Sequence, residues 1–514
     1  MGASATIIFG ATLISRISGF FREIVMAAYF GTSQLTDAWL MASMLPNLLF
    51  STVNAVISTT MIPIMTEGDA QYSPASVQRF LNELFTAIVM LSFILILFGE
   101  ALAPEIIHLV ALGFHGREVP LTIEMTRIMV PTIIFWGLSG IIVGVLQERE
   151  QYFLPSVSPA AVNVVRIATI IVLGKLWSIQ GVALGFTLAV ISQLFVTWPA
   201  LKRLRLTLHF RWHFSHPLLR QMIKMAGPYF LVSSVGTVGV IVDRILASTQ
   251  VTGSLAALNY SYVLIQIPVG LLIASLATPI YTRLSHHHSR HDQDLFHTLA
   301  MKGFRLVLLV IVPITLWFII LRVPILRLLY QHGAFSNRST TLTAGTLLYF
   351  AVGLPGFGLS FYLQKLFFAT QNTRSPSRFS IITILVNIIG DLILVQVMHT
   401  DGLALATAAA AWVNTGLLTW AVFRDHKLRN RLGFRRTFSI LAAGATPMLL
   451  ILIATSHWLH LNRITGPLSL LFGLGLCAVI SGITFVLVLA LLHYPEIDDA
   501  RRWLHSRSAM PRPR

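Results

Sequence analysis

The feature that most constrains this chain is its succession of apolar runs, each about twenty residues long or longer, divided by short polar breaks. A hydrocarbon layer about 30 Å thick is crossed by roughly 20 apolar residues in a helix. Lipid satisfies no free backbone group, so the segments that cross it are helices or the strands of a closed barrel. Runs this long and continuous are not the alternating strands of about ten residues that build a barrel. An all-α polytopic membrane protein is therefore expected. Composition agrees, since 55% of the 514 residues are hydrophobic and only 11% are charged, against roughly 25% charged in a soluble domain.

The runs predict about 14 transmembrane helices, near 5–30, 36–65, 80–112, 122–147, 155–175, 179–201, 220–248, 255–282, 297–321, 341–369, 377–398, 402–423, 437–458 and 467–493. Arg16, Arg22 and Glu23 interrupt the first run, and no small-residue cleavage pattern follows it, so this segment is expected to remain in the mature protein. Cys477 is the only cysteine, which excludes an intrachain disulfide and a cysteine-based metal site.

Orientation follows from Lys and Arg, which concentrate in short cytoplasmic loops. Of the 37 basic residues, 25 fall in the even-numbered connections with their adjoining helix ends and the tail, and six in the odd-numbered connections with theirs. Both termini are thus expected in the cytoplasm. The formal charge of +17 reads as a topology signal and as attraction to anionic lipid headgroups, worth about 1 kcal/mol per basic residue near the surface. It does not point to nucleic acid.

An internal repeat is visible in the sequence. Gln147 precedes Asn163 by 16 positions and Gln371 precedes Asn387 by the same 16, and a short apolar helix follows each pair, opening at Gly181 or Gly402. Two six-helix halves and two further helices account for this pattern, and parallel repeats are a mark of transporters. The division expected is 1–201 and 202–424 for the two lobes, 425–493 for the last two spans, and 494–514 for a basic cytoplasmic tail.

Ionisable groups inside spans cost about 2.5–3.5 kcal/mol each on insertion scales and face water-filled cavities or one another. Here they are Arg16, Arg22, Glu23, Asp37, Arg127, Arg166, Asp243, Arg244, Lys365 and Asp391. Arg16 and Glu23 are seven apart and share a helical face, while Arg22 points about 120° away. Gly19 between them permits a bend that gathers all three. Guanidinium groups match the oxygens of a phosphate or diphosphate and stay charged at any working pH. The competing reading is that Arg22 snorkels, or pairs with Glu23 or Asp37 to lock helices together.

Asn387 and Asp391 are four apart on one face of the eleventh span, and Asp243 lies at membrane depth in the seventh. Such oxygen donors, with a hydroxyl from Thr407, suit Na+ or H+ as a coupling ion; an interhelical ion pair involving Asp243 and Arg244, or Asp391 and an arginine, is the alternative. The run from Ser285 to Asp292, with four histidines, has no metal-fixing spacing and reads as a solvated loop. No nucleotide-binding glycine loop, His-Glu-x-x-His or other catalytic signature occurs, so the chain is read as a transporter without covalent chemistry, with no cofactor and no metal beyond a monovalent cation.

Ser15-Arg-Ile-Ser-Gly-Phe-Phe-Arg-Glu, Phe30-Gly, Thr36-Asp-Ala, Leu45-Pro-Asn-Leu-Leu and Ile62-Pro-Ile together resemble the opening of the MurJ/MviN family of lipid II flippases. Val242-Asp-Arg-Ile-Leu-Ala-Ser, Ala257-Leu-Asn-Tyr and Gln371-Asn-Thr-Arg-Ser-Pro resemble later parts of the same family. The resemblance implies the multidrug/oligosaccharidyl-lipid/polysaccharide exporter (MOP) fold, with two six-helix lobes and two helices lining a lipid groove. It implies alternating access, an undecaprenyl-diphosphate-linked peptidoglycan precursor as substrate, the bacterial cytoplasmic membrane as location, and cell-wall synthesis proteins as partners. It places Arg16, Arg22, Glu23 and Asp37 in a central cavity, with the arginines on the diphosphate; Arg166 and Arg244 join them as candidates.

Two departures stand out. Where family members carry basic residues after Pro-Asn-Leu-Leu, this chain has Phe50 and Ser51, and where an arginine follows Asn-Tyr it has Tyr262 and Val263. Export of another undecaprenyl-linked glycan, cation-coupled drug export and a non-transporting cell-wall scaffold stand as alternatives.

Overall fold

Each predicted run falls on helix in the computed structural model, and several of the described breaks carry a helix cap or a residue of positive φ. The structure describes residues 2–204, 206–290, 292–424, 434–461, 463–464 and 466–508; the side chains at 2–9, 49–56, 58–59, 228–229, 231–236, 423, 434, 500 and 503–508 lie outside the description. In chain order the helices are α1 Gly2–Phe30, α2 Gln34–Ala42, α3 Met44–Gln71, α4 Pro74–Val110, α5 Glu118–Met129, α6 Thr132–Glu148, α7 Phe153–Arg203 and α8 Pro217–Ser248. Then follow α9 Ser254–Ile267, a π-helical turn Pro268–Ile273, α10 Ala274–Ser289, α11 Gln293–Ile320, α12 Arg322–Leu329 and α13 Asn337–Ala369. Last come α14 Arg374–Phe423, α15 Phe434–Trp458, α16 Pro467–Leu491 and α17 Pro495–Ser508. Ser33 caps α2 and Ser73 caps α4, each hydroxyl accepting from a backbone N–H three residues on, which satisfies a donor that the helix start leaves open.

Nine helices among the described residues are long and apolar enough to cross a membrane. Two of these, α7 and α14, are hairpins. Each reverses at a single residue with positive φ, Ser178 (φ 53°, ψ −139°) in α7 and His399 (φ 53°, ψ −132°) in α14. The two arms lie so close that a Cβ at Gly185 would meet the Thr169 side chain, and one at Gly402 the Leu394 carbonyl.

These hairpins also set the register of the internal repeat. His399 lies 221 positions after Ser178, and Gln371 (φ 58°) lies 221 after Glu150 (φ 57°). The arm contacts Thr169 to Gly185 and Leu173 to Gly181 recur at the same shift, as Gly390 to Ala406 and Leu394 to Gly402. Gly181 and Gly402 obey this register, whereas the Gln147/Asn163 and Gln371/Asn387 spacing implies 224, nearly one helical turn away. Gln147 is still inside α6, while Gln371 stands in the turn after α13, so these two glutamines are not equivalent. In the structural register Asn387 corresponds to Arg166.

The chain packs as two compact units, Met1–Ala256 with His332–Ser336, and Ala257–Gln331 with Asn337–Arg514. In the first, Met61, Met65, Phe80, Leu81, Ile141 and Leu218 are buried in one cluster drawn from α3, α4, α6 and α8. Gly140 and Gly144 open α6 to Ile57 and Met61 of α3; between lipid-embedded helices, close packing of this kind supplies the attraction that water would otherwise drive.

The connection from α7 to α8 is extended and runs along the polar side of α4. The backbone N–H groups of Thr207, His209 and Arg211 donate to Gln78 Oε1 (3.3 Å), Asn82 Oδ1 (3.1 Å) and Thr86 Oγ1 (2.8 Å). Residues two apart in the connection thus meet residues four apart on a helix. Phe210 packs edge-on to Phe85, with ring centroids 5.2 Å apart. His216 N donates to Glu83 Oε2 (2.9 Å) and closes the strap where α8 begins.

In the second unit α13 lies along the second arm of α14, where Gly353 and Gly356 admit Ala408 and Ala411. α15 packs on α16, and this pair leaves Leu450, Leu468, Phe472, Val479 and Leu491 exposed, an apolar surface suited to lipid chains. Part of the tail expected at 494–514 is the helix α17, held by Arg305 on Glu496 (2.6 Å) and Lys302 on Asp499 (2.8 Å). Burial pushes the Glu496 carboxyl above its usual range, and Arg305 pulls it back. Ser285–Ser289 are not a loop but the last turn of α10.

Candidate functional site

α1 runs as one uninterrupted helix past Gly19. Its missing side chain makes room for the Asn163 amide, which would lie 3.3 Å from a Cβ there. Asn163, from the first arm of α7, donates to Ser15 O (3.1 Å) and Ser18 Oγ (3.2 Å) and accepts from Arg22 Nη1 (2.8 Å). Arg22 turns its Nε and Nη2 to Glu23 Oε1, at 3.1 and 2.5 Å. The pairing reading for Arg22 and Glu23 is the one the side chains adopt, with Glu23 almost fully buried. A buried carboxylate needs such a partner, because an uncompensated one costs several kcal/mol. Arg16 is exposed on the same helix, and no described residue accepts from it.

Arg166, one turn beyond Asn163, is held differently. Its guanidinium lies over the rings of Trp39 (5.2 Å) and Phe186 (4.9 Å) and feels the charges of Arg22 and Glu23. Cation–π contacts of this kind contribute about 0.5–2 kcal/mol each and use the face of the guanidinium rather than its N–H edge.

Asp37 sits in the first turn of α2 and is buried. Its two oxygens accept from the backbone N–H groups of Gly253 (2.6 Å) and Ala256 (2.9 Å), capping the start of α9. Arg244 Nη1 donates to Leu40 O (2.7 Å), beside the α2 segment that carries Asp37 and Trp39. Asp243 is partly buried next to it on α8. These residues all belong to the first unit.

In the second unit Asn387 Nδ2 donates to Asp391 Oδ2 (2.9 Å), and Asp391 is fully buried. The two share a face as their spacing predicts. Thr407, on the other arm of the hairpin, turns its hydroxyl onto Leu403 O of its own helix (3.0 Å). Lys365 lies over Tyr281 (5.6 Å) and Phe361 (5.7 Å), and Arg127 reaches Glu100 on the exposed side of α5.

Of the two departures from the family pattern, the side chains of Phe50 and Ser51 lie outside the described residues. Tyr262 stacks near Phe350 (5.6 Å) and Phe357 (6.4 Å), so an aromatic cluster occupies the place where an arginine is expected. Sequence reasoning did not single out Trp39, Phe186 or Asn163 as site residues. An aromatic in an apolar span reads as core, and the signal available for Trp39 is its place two residues after Asp37.

Among the described residues, nine helices are long and apolar enough to cross a membrane and carry buried charged side chains such as Glu23, Asp37 and Asp391, the make-up of an integral membrane transporter. A family model described as lipid II flippase MurJ matches residues 26–472, and the chain belongs to that family. A probable lipid II flippase MurJ of Buchnera aphidicola subsp. Schizaphis graminum is 27% identical over 94% of this chain and 95% of its own length. The lipid II flippase MurJ of Burkholderia cenocepacia is 28% identical over 88% and 89%. A solved structure of lipid II flippase MurJ in an inward closed conformation superposes with a TM-score of 0.79 at 25% identity, covering 93% of this chain and 98% of that one. A multidrug resistance MATE transporter of the MOP superfamily in an inward-facing conformation shares the fold, with a TM-score of 0.67 at 13% identity.

Proposed function

We propose that the protein carries lipid II, the undecaprenyl-diphosphate-linked peptidoglycan precursor, across the bacterial cytoplasmic membrane. The observation that carries this reading is the set of three guanidinium groups, Arg16, Arg22 and Arg166, on neighbouring helices α1 and α7 of one unit, within a chain of the lipid II flippase family. A membrane-embedded diphosphate needs forked cationic donors, and a flippase needs them to release it again, which suits groups whose charges are partly met by Glu23 and Asn163.

The headgroup enters from the cytoplasmic side, the two lobes rock, and the headgroup leaves on the outer face while the apolar sides of α15 and α16 accompany the undecaprenyl chain. The lobes are taken as 1–201 and 202–424, with both termini in the cytoplasm and fourteen crossings. This orientation is supported by the 25-to-six split of basic residues. Membrane potential supplies about 2.3 kcal/mol per charge per 100 mV, and Na+ or H+ held by Asn387 and Asp391, with Thr407 as a further oxygen donor, couples to the cycle; Asp243 stands apart in the first unit. Anionic headgroups meet the basic connections, and other cell-wall synthesis proteins supply or receive the substrate.

The test is rescue of cells depleted of their own lipid II flippase. The wild type should restore growth, Arg16→Ala should abolish it, and Arg16→Lys should restore it in part, since a point charge does not replace the bidentate fork. A well-expressed wild type that fails to rescue, yet restores a strain lacking a different polysaccharide exporter, would move the assignment to another lipid-linked glycan. Cysteines placed at 210 and 430 should resist an impermeant thiol reagent in intact cells, while one at 332 reacts; the opposite labelling overturns the orientation.

A further inference from the structure

Two arginines lie near one another in the first unit, and they differ in what their donors do. Arg22 spends Nε, Nη1 and Nη2 on Glu23 and Asn163. Arg166 makes ring contacts with Trp39 and Phe186, and among the described residues no acceptor meets its N–H edge. Trp39 carries a second open donor: it is 5% exposed, and among the described residues its Nε1 has no hydrogen-bond partner. An indole N–H lies in the plane of the ring that the guanidinium covers, so the two sets of unused donors are neighbours. Buried N–H groups are almost always satisfied, and an exception calls for a missing partner.

A neutral acceptor such as water meets the indole N–H but leaves the cation unbalanced. An anion with several oxygens meets both. The rings also fix the guanidinium plane, because a stacked arginine gives up its face and presents its fork at the rim. Glu23, the acidic neighbour, is already engaged by Arg22.

We infer that Trp39 and Arg166 form the receiving site for a diphosphate in this conformation, with Phe186 as the positioning residue that holds the guanidinium, while Arg22 remains latched by Glu23 and Asn163. The inference rests on the flippase reading, which it deepens by separating the arginine free to take the anion from the one that is occupied. Trp39 then contributes a hydrogen bond to substrate rather than packing alone.

The purified full-length protein in lipid nanodiscs is titrated with undecaprenyl diphosphate, and separately with inorganic pyrophosphate and undecaprenol, while melting is followed on the same samples. Trp39→Phe keeps an aromatic ring beside Arg166 and removes the N–H together with part of the ring volume. It should weaken undecaprenyl diphosphate binding about tenfold in protein that remains folded at the assay temperature, as loss of one hydrogen bond to a charged group does. Arg166→Gln should weaken it further, Arg166→Lys should recover part of the loss, and Phe186→Leu should weaken it least. Inorganic pyrophosphate should follow the same ranking, and undecaprenol should be indifferent to all four changes. Trp39→Phe and Arg166→Gln proteins that melt normally and bind undecaprenyl diphosphate like the wild type overturn the inference. Tight binding that tracks the undecaprenol tail and ignores these residues overturns it equally. Wild type that rescues flippase-depleted cells alongside an equally active Arg166→Gln sinks the inference and leaves the flippase reading standing. Diphosphate binding through Arg166 without any rescue does the reverse.

Discussion

The hairpins α7 and α14 share one backbone and carry opposite chemistry. Both reverse at a residue with φ of 53°, and both bring their arms together at equivalent positions 221 apart. Yet where the first places Arg166 over two aromatic rings, the second places Asn387 one turn from the buried Asp391. The scaffold fixes where a polar group enters the membrane, and the residue chosen there decides which ion it suits. On the function proposed above, that is an anion in the first unit and a cation in the second.

The largest test of this contrast places the same residue at both positions. Arg166→Gln should lower flipping of a fluorescent lipid II analogue in proteoliposomes by about a hundredfold, since it removes the charge and a forked pair of donors each worth about 1.5–3 kcal/mol, while Asn387→Gln should cost much less. Equal losses would mean that the two positions are not chemically distinct. Next in size, Asp391→Asn should slow transport about tenfold and erase any sodium- or pH-dependent rise in melting temperature, because an amide lacks the charge that a hard cation needs. A titration that moves wild type and variant alike removes the cation from the second hairpin.

Two smaller tests sharpen the comparison at the backbone. Gly185→Ala would drive a methyl into the Thr169 side chain, whereas Gly390→Ala meets only the Ala406 methyl at 3.0 Å. The first should destabilise by about 1–3 kcal/mol, as overpacking does, and the second by a smaller amount; the reverse order in thermal melts would refute the equivalence of the arms. Smallest of all, Ser178→Gly and His399→Gly should each stabilise by about 1 kcal/mol, because glycine adopts this region without the strain a side chain brings. A gain at one turn and a loss at the other would show that the two reversals are not the same device.

Much of the fold was legible because apolar length is a one-dimensional signal. Gly181 and Gly402 marked the second arms of both hairpins, and the Asn387 and Asp391 spacing announced a shared face that the hydrogen bond between them bears out. The register of the repeat was missed because glutamines recur near turns without being equivalent, and only backbone angles at Glu150 and Gln371 decide the matter. The site was half visible. Charges inside spans drew attention to Arg22, Glu23, Asp37 and Arg166, but whether a donor is occupied depends on partners such as Asn163 and Trp39 that lie far away in sequence or look like ordinary core. Asp37 illustrates the difficulty: nothing in its own helix foretells that its oxygens cap the start of α9 from Gly253 and Ala256.

The strap along α4 works as a vernier. Its rungs advance about 6.0 Å per four residues on the helix and about 6.6 Å per two in the extended connection, so the two scales drift by roughly half an ångström a step and fall out of coincidence soon after three rungs. Such a scale reads true at one setting only. One added residue between Leu204 and His216 would turn the wrong side of the connection to Gln78, Asn82 and Thr86, so the joint between the halves of the repeat has a length that cannot be adjusted by sliding.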